Sequence, residues 1–125
     1  MAVKSILIGK LIPLEVIEPE PVYILLDVVP VFGYDTSGKK TDVITGYQYV
    51  VVNTNSFNQY RVKILHNSPL MTREQLVAIR EKGGKIYVEF ENSTVRMYWN
   101  SRGNDYSDSF KADGIQQVDE EIQLD

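Results

Sequence analysis

An all-β fold with one short helix is what this sequence predicts, and three features predict it. Apolar and β-branched runs alternate with turn-rich stretches along most of the chain, at the spacing of strands. Only the segment 72–84 carries paired helix start and stop signals. That segment follows three strand-like runs counted from Val22 and precedes the rest, so one helix sits between the third and fourth strands.

The 125 residues suffice for one domain with a proper core. A hydrophobic share of 43% and a charged share of 24% are ordinary for a globular chain. The absence of cysteine excludes disulfides and thiolate metal sites and leaves the redox compartment open, with an intracellular protein the plainer reading. Net charge is −4, but its distribution is uneven. Residues 1–55 carry −2, residues 56–102 carry +4 and residues 103–125 carry −6, so a basic middle meets an acidic end. This is either the electrostatic footprint of a nucleic-acid binder or a mixed surface with a solubilising tail.

Val3–Ile12 reads as a first strand ended by Pro13; Lys10 and Glu15 interrupt its apolar run, which is far shorter than a membrane span. Glu15–Pro21, with two prolines and three glutamates, reads as an extended linker. Val22–Phe32 is a long apolar strand in which Pro30 removes a ladder donor, so a bend, bulge or unpaired edge is expected there. Gly33–Asp42 is a turn-rich loop, Val43–Asn53 the next strand, and Asn53–Asn58 a polar turn. Tyr60–Leu65 then alternates, with Tyr60, Val62 and Ile64 on one face and Arg61 and Lys63 on the other. Thr72 and Gln75 have capping-box spacing, Met71 and Leu76 occupy the staple positions, and Gly83-Gly84 supplies a left-handed stop. Ile86, Val88 and Phe90 alternate with Lys85, Tyr87 and Glu89; Glu91–Ser93 turns this run into Thr94–Trp99 as a second hairpin. Asn100–Asp105 is a loop, and Ser107–Val118 a last strand with Phe110, Ala112, Ile115 and Val118 inward.

A lone helix in that place is the layout of an OB-fold, a five-stranded Greek-key barrel. The predicted fold is therefore an OB-like barrel over 22–118, with an extra N-terminal strand 3–12 and an additional hairpin. Together these make one domain, 1–118, followed by the acidic tail 119–125.

Chemistry in the chain is sparse. His66 is the one histidine, at a strand end beside Asn67 and Ser68, and reads as a surface residue. One histidine and no cysteine assemble no nucleophilic triad, and Gly83-Gly84 follows a helix instead of opening one, the wrong polarity for holding phosphate. Glu89 and Glu91 share a strand face but are too few for a hard-cation site. No catalytic residue, metal or cofactor is expected, and an enzyme is not. The aromatic residues offer more. If Val50, Val52, Val62 and Ile64 fill the interior, Tyr47 and Tyr49 share the outer face with Arg61 and Lys63. Flat rings beside cations are what a single-strand binder needs; the competing reading places these tyrosines in the core. Tyr87, Arg96, Tyr98 and Arg102 extend the candidate surface, and Trp99 is either a core residue or part of it.

The stretches VYILLDVVPVF, GYQYVVVN, YRVKIL, TREQLVAIREKG, KIYVEFE and FKADGIQQV together resemble OB-fold single-stranded-DNA-binding proteins. The likeness is greatest to the divergent ones carried by phages and conjugative elements. The resemblance covers about three-quarters of the chain and leaves Val3–Ile12 outside it. It implies a cytoplasmic protein that binds single-stranded DNA, or RNA, without sequence preference. The process served would be replication, recombination or transfer of a phage or mobile element, and a homo-oligomer is one possible form. The tail DEEIQLD loosely resembles the acidic tips that recruit replication or recombination partners, but it lacks their aromatic end. The alternative is a protein–protein interaction or structural accessory module that binds no nucleic acid.

Overall fold

A computed structural model describes residues 10–66 and 68–118. The elements in chain order are β1 (Leu11–Pro13), α1 (Leu14–Ile17), β2 (Tyr23–Tyr34), β3 (Lys40–Asn53) and β4 (Gln59–Ile64). Then come α2 (Arg73–Glu81), β5 (Tyr87–Glu91), β6 (Thr94–Asn100), β7 (Asp105–Lys111) and β8 (Gly114–Val118). The strands form one sheet in the order β1-β6-β7-β4-β3-β2-β5-β8. Every pairing is antiparallel except β4 with β7, which is parallel.

Cross-strand partners stand on the same face of a sheet, so the register sorts the side chains. Val28, Tyr49, Val62, Phe110 and Val95 are successive partners across β2, β3, β4, β7 and β6. Val28, Tyr49, Val62 and Val95 are buried there and Phe110 packs against the core. One residue along, Val29, Gln48, Lys63, Lys111 and Thr94 make a parallel row on the opposite face. Leu25, Val51 and Tyr60 continue the inner side.

The helix forms where its local signals place it. Thr72 accepts from the Gln75 N–H while the Gln75 side chain accepts from the Thr72 N–H, closing the capping box. Gly83 at φ 82° ends it, with the Gly84 N–H returning to the Ile79 carbonyl. Leu76 is the helix's buried anchor. Two cations tie α2 to a bulge in β2, where the register skips Leu26: Arg73 pairs with Asp27 at 2.8 Å and Arg80 donates to the Leu26 carbonyl at 2.9 Å. Pro30 sits beyond the reach of β5, which pairs only with Tyr23 and Ile24, so its missing N–H faces an edge unpaired among the described residues, one of the expected outcomes.

Several sequence expectations need correction. Residues 1–9 and 119–125, which hold most of the expected first strand and the acidic tail, lie outside the described residues. The Glu15–Pro21 linker is instead opened by the single turn α1, whose Leu14 is buried and whose N–H donates to the Ser93 carbonyl. Much of the Gly33–Asp42 loop is strand, leaving a tight turn around Asp35–Lys39 in which the Asp35 carboxylate accepts from Ser37 and Lys39. β5 and β6 do not form a hairpin: β5 pairs with β2 and β8, and β6 with β1 and β7. The expected last strand is broken between β7 and β8 at Ala112-Asp113. There the Ala112 N–H donates to the Lys63 carbonyl and the Asp113 N–H to the Glu91 carbonyl, carrying the chain from β4 to β5.

Glu18, just past α1, is buried at 3% exposure, an uncommon place for a carboxylate. Its Oε2 accepts from Ser56 Oγ at 2.6 Å, from Tyr60 Oη at 2.5 Å and from Asn58 Nδ2 at 3.4 Å. Burial pushes its pKa up, but the three donors outweigh burial and hold it below the ordinary carboxylate value. The Tyr60 hydroxyl is pushed up to about 12, by burial first and then by its bond to Glu18. Since the folded state depresses the Glu18 pKa, its contribution is complete above the unfolded value and is lost as pH falls through the folded one. Glu18→Gln is expected to cost about 1–3 kcal/mol at neutral pH. It should also flatten the fall of Tm below pH 4.5, the ordinary value of the group; an unchanged acid limb in thermal melts across pH would assign that limb to other carboxylates.

Candidate nucleic-acid interface

The outer face of β3, β4, β7 and β6 gathers the chain's basic middle. Lys63 on β4 neighbours Lys111 on β7, and Lys111 neighbours Thr94 on β6. Two residues away, Val50 on β3 pairs with Arg61, while Ser109 on β7 pairs with Arg96. Next along β6, Tyr98 stands opposite Ser107 and is 43% exposed. Four cations from three strands thus share one surface because outward residues recur every second position.

Two shallow depressions mark this face. One, of about 470 Å³, is lined by Gln48, Gln59, Arg61, Lys63, Tyr98, Asp108 and Ser109, together with Tyr60 and Phe110 of the inner face. The other, of about 410 Å³, is lined by Lys63, Arg96, Lys111, Thr94, Leu11 and Leu65 among others, with Asn92 and Asp113 at its end. Lys63 and Ser109 belong to both and join them. The surface is open and polar, with amide and hydroxyl groups between the cations.

The structure brings together Arg61, Lys63, Arg96 and Tyr98 of the expected site. It does not bring Tyr47 and Tyr49 to that face. Tyr49 pairs with Val62 and Tyr47 with Ile64, so both tyrosines point inward with the alternating apolar residues of β4. Tyr49 is fully buried and Tyr47 is half-buried against the core. Gln48 holds the outward position between them, and Val50, on the face of Gln48 and Arg61, is itself buried, so the expected assignment of β3 shifts by one residue. The signal was Gln48, the one strongly polar side chain in GYQYVVV. Tyr87 is half-buried on β5, with β2 and β3 between it and β4, and lines neither depression. Arg102 is exposed in the turn between β6 and β7, beyond Tyr98. Trp99 shares a face with Val95 and Met97 but is 50% exposed, because the β6–β7 hairpin runs past the core. Gln48, Gln59, Thr94, Ser109 and Lys111 were missed; Lys111 could have been found from its alternation with Phe110.

The inward tyrosine has a structural task. Tyr49 Oη accepts the Leu70 N–H at 3.0 Å and lies 2.8 Å from His66 Nε2. Burial holds the His66 pKa below its ordinary value, so the ring is neutral at pH 7 and shares a hydrogen bond with the Tyr49 hydroxyl through Nε2. The Tyr47 ring meets the same imidazole edge-on at 5.7 Å. His66 is therefore a half-buried partner of the core, not a surface residue, and it ties the end of β4 and the approach to α2 onto β3. Burial also raises the Tyr49 pKa.

No protein-family model, curated protein or solved structure matches this chain. Among the described residues no helix is long and apolar enough to cross a membrane.

Tyr49→Phe removes the acceptor of the Leu70 N–H and the hydrogen-bond partner of His66 Nε2. It is expected to lower stability by about 1–3 kcal/mol in denaturant melts, while leaving affinity for any ligand of the outer face unchanged in the folded protein. Loss of such affinity without loss of stability would return Tyr49 to the binding surface.

Proposed function

We propose that this chain binds single-stranded nucleic acid without sequence preference, through the outer face of β3, β4, β7 and β6, on a barrel of OB type. The observation that carries the reading is the joining of Arg61, Lys63, Lys111 and Arg96 with the exposed Tyr98 on one continuous surface. Cations at that spacing neutralise phosphates and release counterions. The Tyr98 ring offers a face on which any base stacks. Gln48, Gln59, Thr94 and Ser109 supply hydrogen bonds that carry little sequence information when made to sugar and phosphate. The openness of the surface suits an extended strand better than a small ligand, which binds in enclosed apolar pockets.

The strand connections support the OB-type reading. If β7 and β8 are taken as one strand bent at Ala112-Asp113, it pairs with β4 on one side and β5 on the other. β5 pairs in turn with β2, β2 with β3 and β3 with β4, so five strands close a ring. α2 falls between its third and fourth members, as in an OB-fold. In that frame β6 and the distal part of β7 that pairs only with it extend the connection before the last strand, placed where OB-folds carry a nucleic-acid-binding loop. The ligand is single-stranded DNA, in replication, recombination or transfer of a phage or mobile element, in the cytoplasm and with no chemical step catalysed. In this reading the acidic segment 119–125 recruits a replication or recombination protein.

Fluorescence titration with labelled oligo-dT at several salt concentrations tests this. Affinity is expected to fall linearly with salt on logarithmic axes, and duplex to bind more weakly. Lys63→Ala should reduce the magnitude of the slope by about one, and Tyr98→Ala should cost about 1–3 kcal/mol with an unchanged slope. An absence of oligo-dT binding at low salt would leave the interaction-module alternative.

A further inference from the structure

Among the described residues, three that are not glycine take a positive φ: Phe57 at 62°, Asn92 at 51° and Asn104 at 51°. Asparagine enters the left-handed region at little cost, whereas a bulky side chain there is an outlier. Two of the three positions thus hold the residue that the backbone favours, and position 57 does not. The turn that carries Phe57 has asparagines at 53, 55 and 58. It places none of them where the backbone would most readily take one.

Core packing does not explain this phenylalanine. Phe57 is 76% exposed and stands outside the core cluster. The turn holds it firmly all the same. The Phe57 N–H donates to the Asn53 carbonyl at 3.0 Å, and the Asn53 N–H donates to the Asn58 carbonyl at 2.9 Å. Ser56 Oγ and Asn58 Nδ2, on either side of Phe57, both donate to the buried Glu18 carboxylate. A strained residue persists where its surroundings over-determine it, and such residues cluster at functional sites.

The same anchors place Phe57 beside the cation face. Ser56, Asn58 and Tyr60 turn toward Glu18. Gln59, Arg61 and Lys63 alternate with them and line the first depression. Phe57, exposed between two residues held by Glu18, falls in step with that outward set, just past Gln59. The turn from Thr54 to Asn58 carries no charge, so the ring and not an ion pair is what it offers.

We propose that Phe57 is a second base-stacking ring, and that the bound strand runs along β4 from Lys63 past Arg61 to Phe57. The proposal rests on the single-strand reading above and adds to it a path and a residue. An unpaired base has a free face for the phenyl ring, and stacking there needs no particular base. The unfavourable φ of Phe57 is on this account kept for binding and not for the fold.

Fluorescence titration with labelled oligo-dT, beside thermal melts, compares the wild type with Phe57→Asn and Phe57→Trp. Phe57→Asn should melt at or above the wild-type temperature, because asparagine suits the backbone there. It should bind about tenfold more weakly with an unchanged salt slope, since a ring is lost and no phosphate contact is. Phe57→Trp should keep wild-type affinity. Irradiation of the wild type with a bromodeoxyuridine oligonucleotide should cross-link the peptide that holds Phe57. Wild-type binding that Phe57→Asn leaves intact overturns the proposal, spares the cation-face reading and leaves the ring to a protein partner. Cross-links confined to other peptides overturn it too. So does a Phe57→Asn melting temperature well below wild type, because the ring would then serve the fold. If the wild type binds no oligo-dT at all, the single-strand reading falls and this proposal falls with it.

Discussion

The pairing of Tyr49 with Val62 decides which surface this protein shows to its surroundings. Side chains of a strand alternate with a period of two, so a slip of one residue would exchange every inward and outward position. With Tyr49 opposite Val62, the row from Val28 to Val95 becomes core and the row through Gln48, Lys63, Lys111 and Thr94 becomes surface. The register is held from within as well. The Tyr49 hydroxyl is caught between the Leu70 N–H and His66, and a slipped strand would strand all three groups without partners.

A second buried polar cluster anchors the other end of the same sheet. Glu18 collects Ser56, Asn58 and Tyr60 from the β3–β4 turn and the start of β4. The Asn53 side chain accepts from the Asn55 and Ser56 N–H groups and donates to the Glu20 carbonyl. The turn that sets the β3–β4 register is therefore built around the segment that enters β2. The inner polar groups of β3 and β4 thus serve packing and register, and the outer ones are free for a ligand. That separation lets one pair of strands hold the fold and present the proposed binding face.

What was legible in the sequence was local. Thr72, Gln75, Leu76 and Gly83 specify α2 because capping, stapling and left-handed termination act within one or two turns. The alternation of Arg61 and Lys63 with Val62 and Ile64 reads as a half-buried strand for the same reason. β3 was not legible in this way. GYQYVVVN is apolar at both phases, and tyrosine suits a core as well as a surface, so only Gln48 marked the outward side. Strand partners were hidden too, because alternation identifies β5 and β6 but says nothing of which edge each will join. The turn at Asn92 looks like a hairpin until the Val95–Phe110 row and the β5–β8 pairing place the two strands apart. The single turn α1 escaped notice among prolines and glutamates, since one turn leaves no period to detect. Of the candidate site, the cations and Tyr98 were visible as outward positions, and Lys111 follows from its alternation with Phe110, but its place beside Lys63 comes only from the parallel pairing of β4 with β7.

The central claim is that the Lys63–Lys111–Tyr98 face, and not the Tyr47–Tyr49 face, meets the ligand. Titration of isotope-labelled protein with oligo-dT, followed by amide and side-chain chemical shifts, tests it most directly. The account predicts the largest changes at Gln48, Arg61, Lys63, Ser109, Lys111, Arg96 and Tyr98, with the Tyr49, His66 and Leu70 signals nearly still. Changes centred on Tyr47, Tyr49 and the loop into α2, with the cation face silent, would contradict it.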